Sequence, residues 1–134
     1  ERAAAPGLLE SADLSSLRDL RALDLILANE TRLEVARALA TEPHLLLLDE
    51  VMAGLNPTEV AQAMELVKRI RERGITILMI EHVMQAIMSI SDRLIVLDYG
   101  QLIASGTPAE VAANPQVIEA YLGDPEMTAR LLAD

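Results

Sequence analysis

Two acidic residues follow four consecutive leucines, Leu45-Leu46-Leu47-Leu48-Asp49-Glu50. An apolar run without alternation reads as a strand of a parallel sheet buried on both faces. Ligand sites in open α/β sheets lie at the carboxyl ends of the strands, which is where this pair stands. There an aspartate can hold Mg²⁺ through its water shell, and the adjacent glutamate can orient or deprotonate an attacking water. A strand that simply ends in solvated acids explains the hexapeptide equally well. A second apolar run, residues 75–80, ends in Glu81-His82. As the next strand it would bring His82 to the same sheet edge, where a neutral imidazole can donate to a phosphate oxygen. A lone histidine in a loop is more often a surface residue. Two strand ends that deliver polar groups to one edge make the stronger case.

The elements that would position these groups can be read from spacing and punctuation. Residues 3–7 read as a loose terminus. From Ala12, the spacing of Leu14, Leu17, Leu20, Leu23 and Leu25 predicts an amphipathic helix. A second helix is expected over residues 30–40, capped by Asn29 and broken at Thr41-Glu42-Pro43. Asn56-Pro57-Thr58-Glu59 supplies a cap, a proline at the first helical position and a glutamate three residues after the cap. The helix it opens should bury Val60, Met64, Val67 and Ile70 and end at Gly74. A short apolar helix follows over residues 83–90. Strands at 93–98 and 101–105 flank Tyr99-Gly100, a hairpin signal. Two short capped helices, opened by Thr107-Pro108 and Asn114-Pro115, lead to Tyr121-Leu122-Gly123. The whole is an α/β pattern with a parallel sheet and a terminal hairpin.

Composition removes several classes of function. The 134 residues carry a net charge of −10, which argues against a general nucleic-acid binder. The only aromatic residues are Tyr99 and Tyr121, so stacking platforms for bases are scarce. There is no cysteine, hence no disulfide or thiol chemistry, and His44 and His82 alone cannot build a Cys/His zinc site. A hydrophobic fraction of 51% rules out a disordered chain. No apolar run approaches the roughly 18–20 residues of a membrane span. The chain opens at Glu1, without the charged and apolar regions of a signal peptide, and reads as cut from something longer or trimmed at its start.

Glu34-Val35-Ala36-Arg37-Ala38-Leu39, Leu45 through Glu50, Ala53-Gly54-Leu55-Asn56-Pro57 and Ile80-Glu81-His82 resemble, in order and spacing, the later half of an ATP-binding-cassette (ABC) ATPase. The resemblance covers residues 25–123, leaving a motif-free segment over 1–24, expected to be helical, and a tail over 124–134. It is similar in particular to the ATPase subunits of branched-chain amino-acid importers, through Val51 to Glu59, Glu81-His82-Val83-Met84 and Ala120-Tyr121-Leu122-Gly123. The resemblance implies a partial P-loop NTPase fold: a parallel sheet with flanking helices, a C-terminal hairpin and small helices, lacking the phosphate-loop strand. It implies that Asp49 holds Mg²⁺ through water, that Glu50 is the catalytic base, and that His82 is the switch histidine contacting the γ-phosphate of ATP. Residues 53–57, including Gly54 and Asn56, match the D-loop, which packs against a second ATPase subunit. Transmembrane permease subunits and a place on the inner face of the bacterial plasma membrane are implied in the same way.

Two departures qualify those implications. None of the six glycines is followed by lysine, so the sequence holds no GxxxxGK[ST] loop to cradle phosphate, and the glutamine loop has no counterpart. The signature falls on Leu25-Ile26-Leu27-Ala28-Asn29, where Ile26 replaces a serine, Ala28 replaces a glycine, and Glu30 adds negative charge to the first helical turn. The resemblance therefore implies either a degenerate signature at Ala28 and Asn29 or a sequence upstream of Thr31 that is not the family's. The leading expectation is a portion of an importer ATPase. A truncated module that only binds partner subunits, or part of a urea or lipopolysaccharide transporter ATPase, are the alternatives. By itself the chain is expected to be inactive and, with a strand missing beside residues 75–80, to associate with copies of itself.

Overall fold

The computed structural model describes residues 5–122, which fall into two compact units divided between His82 and Val83. In the first, the strands β1 (Leu45–Asp49) and β2 (Thr76–Ile80) pair in parallel, in register from Leu45↔Thr76 to Asp49↔Ile80. They are joined by helix α3, defined below, as a parallel crossover requires.

Alternation along this pair departs from the expectation of two buried faces. Leu46 and Leu48 are buried, whereas Leu45 and Leu47 are exposed, and the register sets Leu78 and Ile80 beside them on the same open face. The run of leucines is what a doubly covered strand needs, but among the described residues only one face is covered. The covered side belongs to a core that includes Val35 and Leu39 of α2 (Leu27–Leu39), Met52, and Leu66, Val67 and Ile70 of α3 (Pro57–Glu72).

Helix α3 begins as its sequence dictates. Asn56 accepts the Glu59 N–H at 3.1 Å, the Glu59 carboxylate accepts the Asn56 N–H at 2.9 Å, and Pro57 occupies the first turn. Of the expected buried face, Val67 and Ile70 are buried with Leu66, while Val60 and Met64 are half-buried.

The N-terminal leucines form no single helix. Instead α1 (Ala5–Ser11) covers part of the stretch expected to be loose, and two short 3-10 turns follow at Ser15–Leu17 and Ala22–Asp24. Asp13 takes a left-handed φ of 58°, which ends helical propagation, and its carboxylate pairs with Arg69 of α3 at 2.5 Å. Ala12 and Leu14 still reach a core with Ala36, while Leu20 and Leu23 are exposed. The periodicity marked residues that pack, but through turns.

In the second unit, α4 (Met84–Ile90) precedes a hairpin of β3 (Leu94–Asp98) and β4 (Gln101–Gly106). Tyr99 and Gly100 both have positive φ, 45° and 78°, as a primed two-residue turn requires. The helices α5 (Pro108–Ala112) and α6 (Pro115–Val117) carry the expected caps at Thr107 and Asn114. Met88, Leu94, Val111, Ala112 and Val117 form the core of this unit. The Tyr121 hydroxyl donates to the Leu97 carbonyl, which ties the turn at residues 118–122 to the hairpin. Residues 123–134, including Gly123 and the expected tail, lie outside the described residues.

Candidate functional site

The site is built at the carboxyl edge of β1 and β2. Asp49 and Ile80 end the two strands opposite each other, so Glu50 and the Glu81-His82 pair emerge side by side. The pairing continues one residue further, where the Glu50 N–H donates to the Ile80 carbonyl at 2.9 Å. Glu50 then takes a left-handed φ of 48°, which turns the chain sharply away from the sheet. The turn closes with the Ala53 N–H donating to the Glu50 carbonyl at 3.1 Å. His82 Nδ1 lies 3.8 Å from Glu50 Oε1, with both side chains more than half exposed. That distance is ion-pair reach for a protonated imidazole and too long for a hydrogen bond.

Glu81, which the sequence placed beside His82 without a role, points the other way. Its Oε1 accepts the Met52 N–H at 2.7 Å, and its Oε2 is buried with no hydrogen-bond partner. No local pattern announces this contact, because it joins residues 29 positions apart.

Residues 25–29 and 53–57 approach each other in this unit. Gly54 has a φ of 76°, and a Cβ there would lie 3.1 Å from Leu27 Cδ2, so both the conformation and the close approach favour glycine. Val51 and Leu55 line a small apolar cavity with Ala28, Val35, Leu66 and Val67. Ala28 is buried and Asn29 half-buried. Asn29 does not cap α2. The extended backbone at Ile26 gives way to helix at Leu27, earlier than residues 30–40 suggested, and Ile26 holds the cap position with no side-chain hydrogen bond. Asn29 sits in the first turn, its N–H on the Ile26 carbonyl at 2.9 Å. Asn56 is committed to capping α3.

The donor set fits part of a magnesium–nucleotide site. Two adjacent, exposed carboxylates suit a hydrated Mg²⁺, which keeps several waters and takes one or two protein carboxylates. Among the described residues no group of three His, Cys, Asp or Glu forms a cage for a metal. No helix among them is long and apolar enough to cross a membrane.

Comparison with known proteins shows what this geometry resembles. Crystal structures of ATP-binding cassettes from ABC transporters superimpose on it. One in its ADP conformation matches with a TM-score of 0.82 at 33% identity, over 91% of this chain and 50% of that one. A nucleotide-free cassette matches with a TM-score of 0.75 at 30% identity, over 98% of this chain and 49% of that one. The chain has the partial P-loop NTPase fold of the C-terminal portion of ABC ATPases, and it is similar to them over most of its length.

Within that class it is similar to the ATPases of branched-chain amino-acid transport. Residues 101–126 match the family described as branched-chain amino acid ATP-binding cassette transporter. It is 43% identical over 117 residues to the high-affinity branched-chain amino acid transport ATP-binding protein BraF of Pseudomonas aeruginosa, spanning 87% of this chain and 46% of that protein. It is 45% identical over 119 residues to LivG of Salmonella typhimurium, described by the same function, spanning 88% of this chain and 44% of that protein. The lipopolysaccharide export system ATP-binding protein LptB of Acidithiobacillus ferridurans is 37% identical over 117 residues, spanning 87% of this chain and 48% of that protein. The chain thus spans somewhat under half the length of the curated relatives it matches.

Proposed function

We propose that this chain supplies the water-activating half of the ATP site in an ABC importer ATPase that couples hydrolysis to uptake of branched-chain amino acids. The observation that carries the reading is the edge where Asp49, Glu50 and His82 emerge together, with His82 3.8 Å from Glu50. Asp49 would hold the hydration shell of Mg²⁺, and the ion when bound neutralises charge on the phosphates. Glu50 is the base: its carboxylate, exposed and turned out by the left-handed backbone, can accept a proton from water. His82 is near enough to Glu50 that one small molecule can touch both. Residues 53–57 would meet a second ATPase subunit, and the assembly would dock on permease subunits at the inner face of the plasma membrane.

The phosphate cradle must come from elsewhere, because the 134 residues contain no GxxxxGK[ST] loop. Isothermal titration of the chain alone with MgATP is accordingly expected to show no micromolar binding. Micromolar binding abolished by Asp49→Ala would overturn that division of labour. In the intact ATPase carrying this half, Glu50→Gln should lower kcat by roughly 10²–10⁴, the usual contribution of a general base, while sparing nucleotide binding. Turnover at the wild-type rate would remove Glu50 from the role.

A second cargo has one observation in its favour. The 37% identity to LptB, over nearly the same span, leaves a lipopolysaccharide-export ATPase as the alternative. Uptake of radiolabelled leucine by cells in which this ATPase is deleted and restored separates the two.

A further inference from the structure

We infer that Glu81 is a positioning residue, whose carboxylate holds the turn carrying Glu50 in register with the strand end carrying His82. Three successive residues at the end of β2 reach that turn. The Ile80 carbonyl accepts the Glu50 N–H at 2.9 Å, Glu81 Oε1 accepts the Met52 N–H at 2.7 Å, and His82 Nδ1 stands 3.8 Å from Glu50 Oε1. The first contact is main-chain pairing, available to any residue at position 80. The second needs an acceptor at the end of a side chain of this length.

Met52 is only 1% exposed, so water cannot readily replace Glu81 as the acceptor for its amide. Without that anchor the segment from Glu50 to Ala53 keeps its main-chain bonds and the packing of Val51 and Met52, and Glu50 sits in a left-handed conformation that persists only when its surroundings over-determine it. The same segment leads to Gly54 and its close approach to Leu27. A shift at Met52 therefore moves both the Glu50 carboxylate and the D-loop. Glu81 Oε2 is buried without a partner, so the carboxylate uses one of its two acceptors.

The catalytic consequence rests on the ATPase reading, whereas the bond itself does not, and the two are tested separately. In the 134-residue chain, Glu81→Ala should speed amide hydrogen exchange at Met52 and Ala53 about tenfold or more, the loss expected of one buried hydrogen bond. Exchange at Leu66, Val67 and Ile70 in α3 should not change. Glu81→Gln keeps an acceptor oxygen at the same reach and should restore protection. Unchanged exchange at Met52, or an equal loss throughout α3, overturns the clamp.

In the intact ATPase carrying this half, Glu81→Ala should lower kcat about tenfold with KM for MgATP nearly constant, and Glu81→Gln should recover most of it. Wild-type kcat in Glu81→Ala overturns the positioning role. A wild-type protein that does not hydrolyse ATP overturns the ATPase reading instead, and the exchange result then decides the clamp alone.

Discussion

In the proposed site Glu50 meets two demands at once. Its carboxylate faces outward, and its backbone reverses direction immediately after a strand. A left-handed φ of 48° meets both, at a cost of about 1–3 kcal/mol for a residue with a Cβ. The cost is offset by fastening the turn at Ile80 and Glu81. His82 completes the group from the neighbouring strand, and its exposed ring can reach a ligand without moving other side chains. In the intact ATPase, His82→Ala is expected to lower kcat by tenfold or more, about 1.4 kcal/mol of barrier, while MgATP affinity changes less. A kcat equal to wild type, measured by phosphate release, would show that the ring plays no part. At this scale the sequence was most informative. Asp49, Glu50 and His82 are polar residues that follow apolar runs, and parallel pairing brings the ends of such runs together. Glu81 was illegible because its contact depends on where the tertiary fold puts the Met52 amide.

Among the elements, those with strong punctuation were readable and those resting on periodicity alone were not. The box between Asn56 and Glu59, with Pro57 between them, fixes the start of α3 by local chemistry. Asn56→Ala removes the acceptor for the Glu59 N–H and should cost about 1 kcal/mol, read from the urea midpoint. No change would mean that water serves that amide equally well. The N-terminal leucines lacked such signals, and the left-handed Asp13, held by Arg69, decided their path.

The box at α5 adds a pH dependence. Glu110 accepts the Thr107 N–H at 2.8 Å and its hydroxyl at 3.0 Å, and these bonds, the backbone one first, hold its carboxyl below the ordinary glutamate value. Gly106 leaves room for this, since a Cβ there would lie 2.6 Å from Glu110 Oε2. An acid with a lowered folded pKa stabilises the fold fully above its unfolded pKa and loses that contribution as pH falls through the folded value. The group is exposed, so the effect is small. Thermal melts from pH 6 downward should show wild type losing more stability than Glu110→Gln across that window. Parallel curves would show that the box holds without charge.

For the molecule as a whole, the decisive feature is apolar surface without cover. Leu45, Leu47, Leu78 and Ile80 occupy one open face of the parallel pair, and Ile95, Leu97 and Leu102 are exposed on the hairpin. Among the described residues β2 has one neighbour, β1, and β3 has one neighbour, β4, so each strand also presents an unpaired backbone edge. Such an edge is a template for another chain. Fully burying a single Leu or Ile side chain contributes about 1.5–3 kcal/mol, while a domain has only about 5–15 kcal/mol of net stability. Several such residues left in water are therefore a large fraction of what holds the fold. In the ATP-binding cassettes of known structure the matching part is about half of a longer polypeptide. With this face open, the 134-residue chain is expected to be a dimer or higher oligomer in light scattering of dilute protein, despite its charge of −10. Leu47→Lys with Ile80→Lys should shift the population toward monomer by placing like charges on the open face. A wild-type monomer that melts cooperatively would show that this face needs no cover, and the proposed self-association would be wrong.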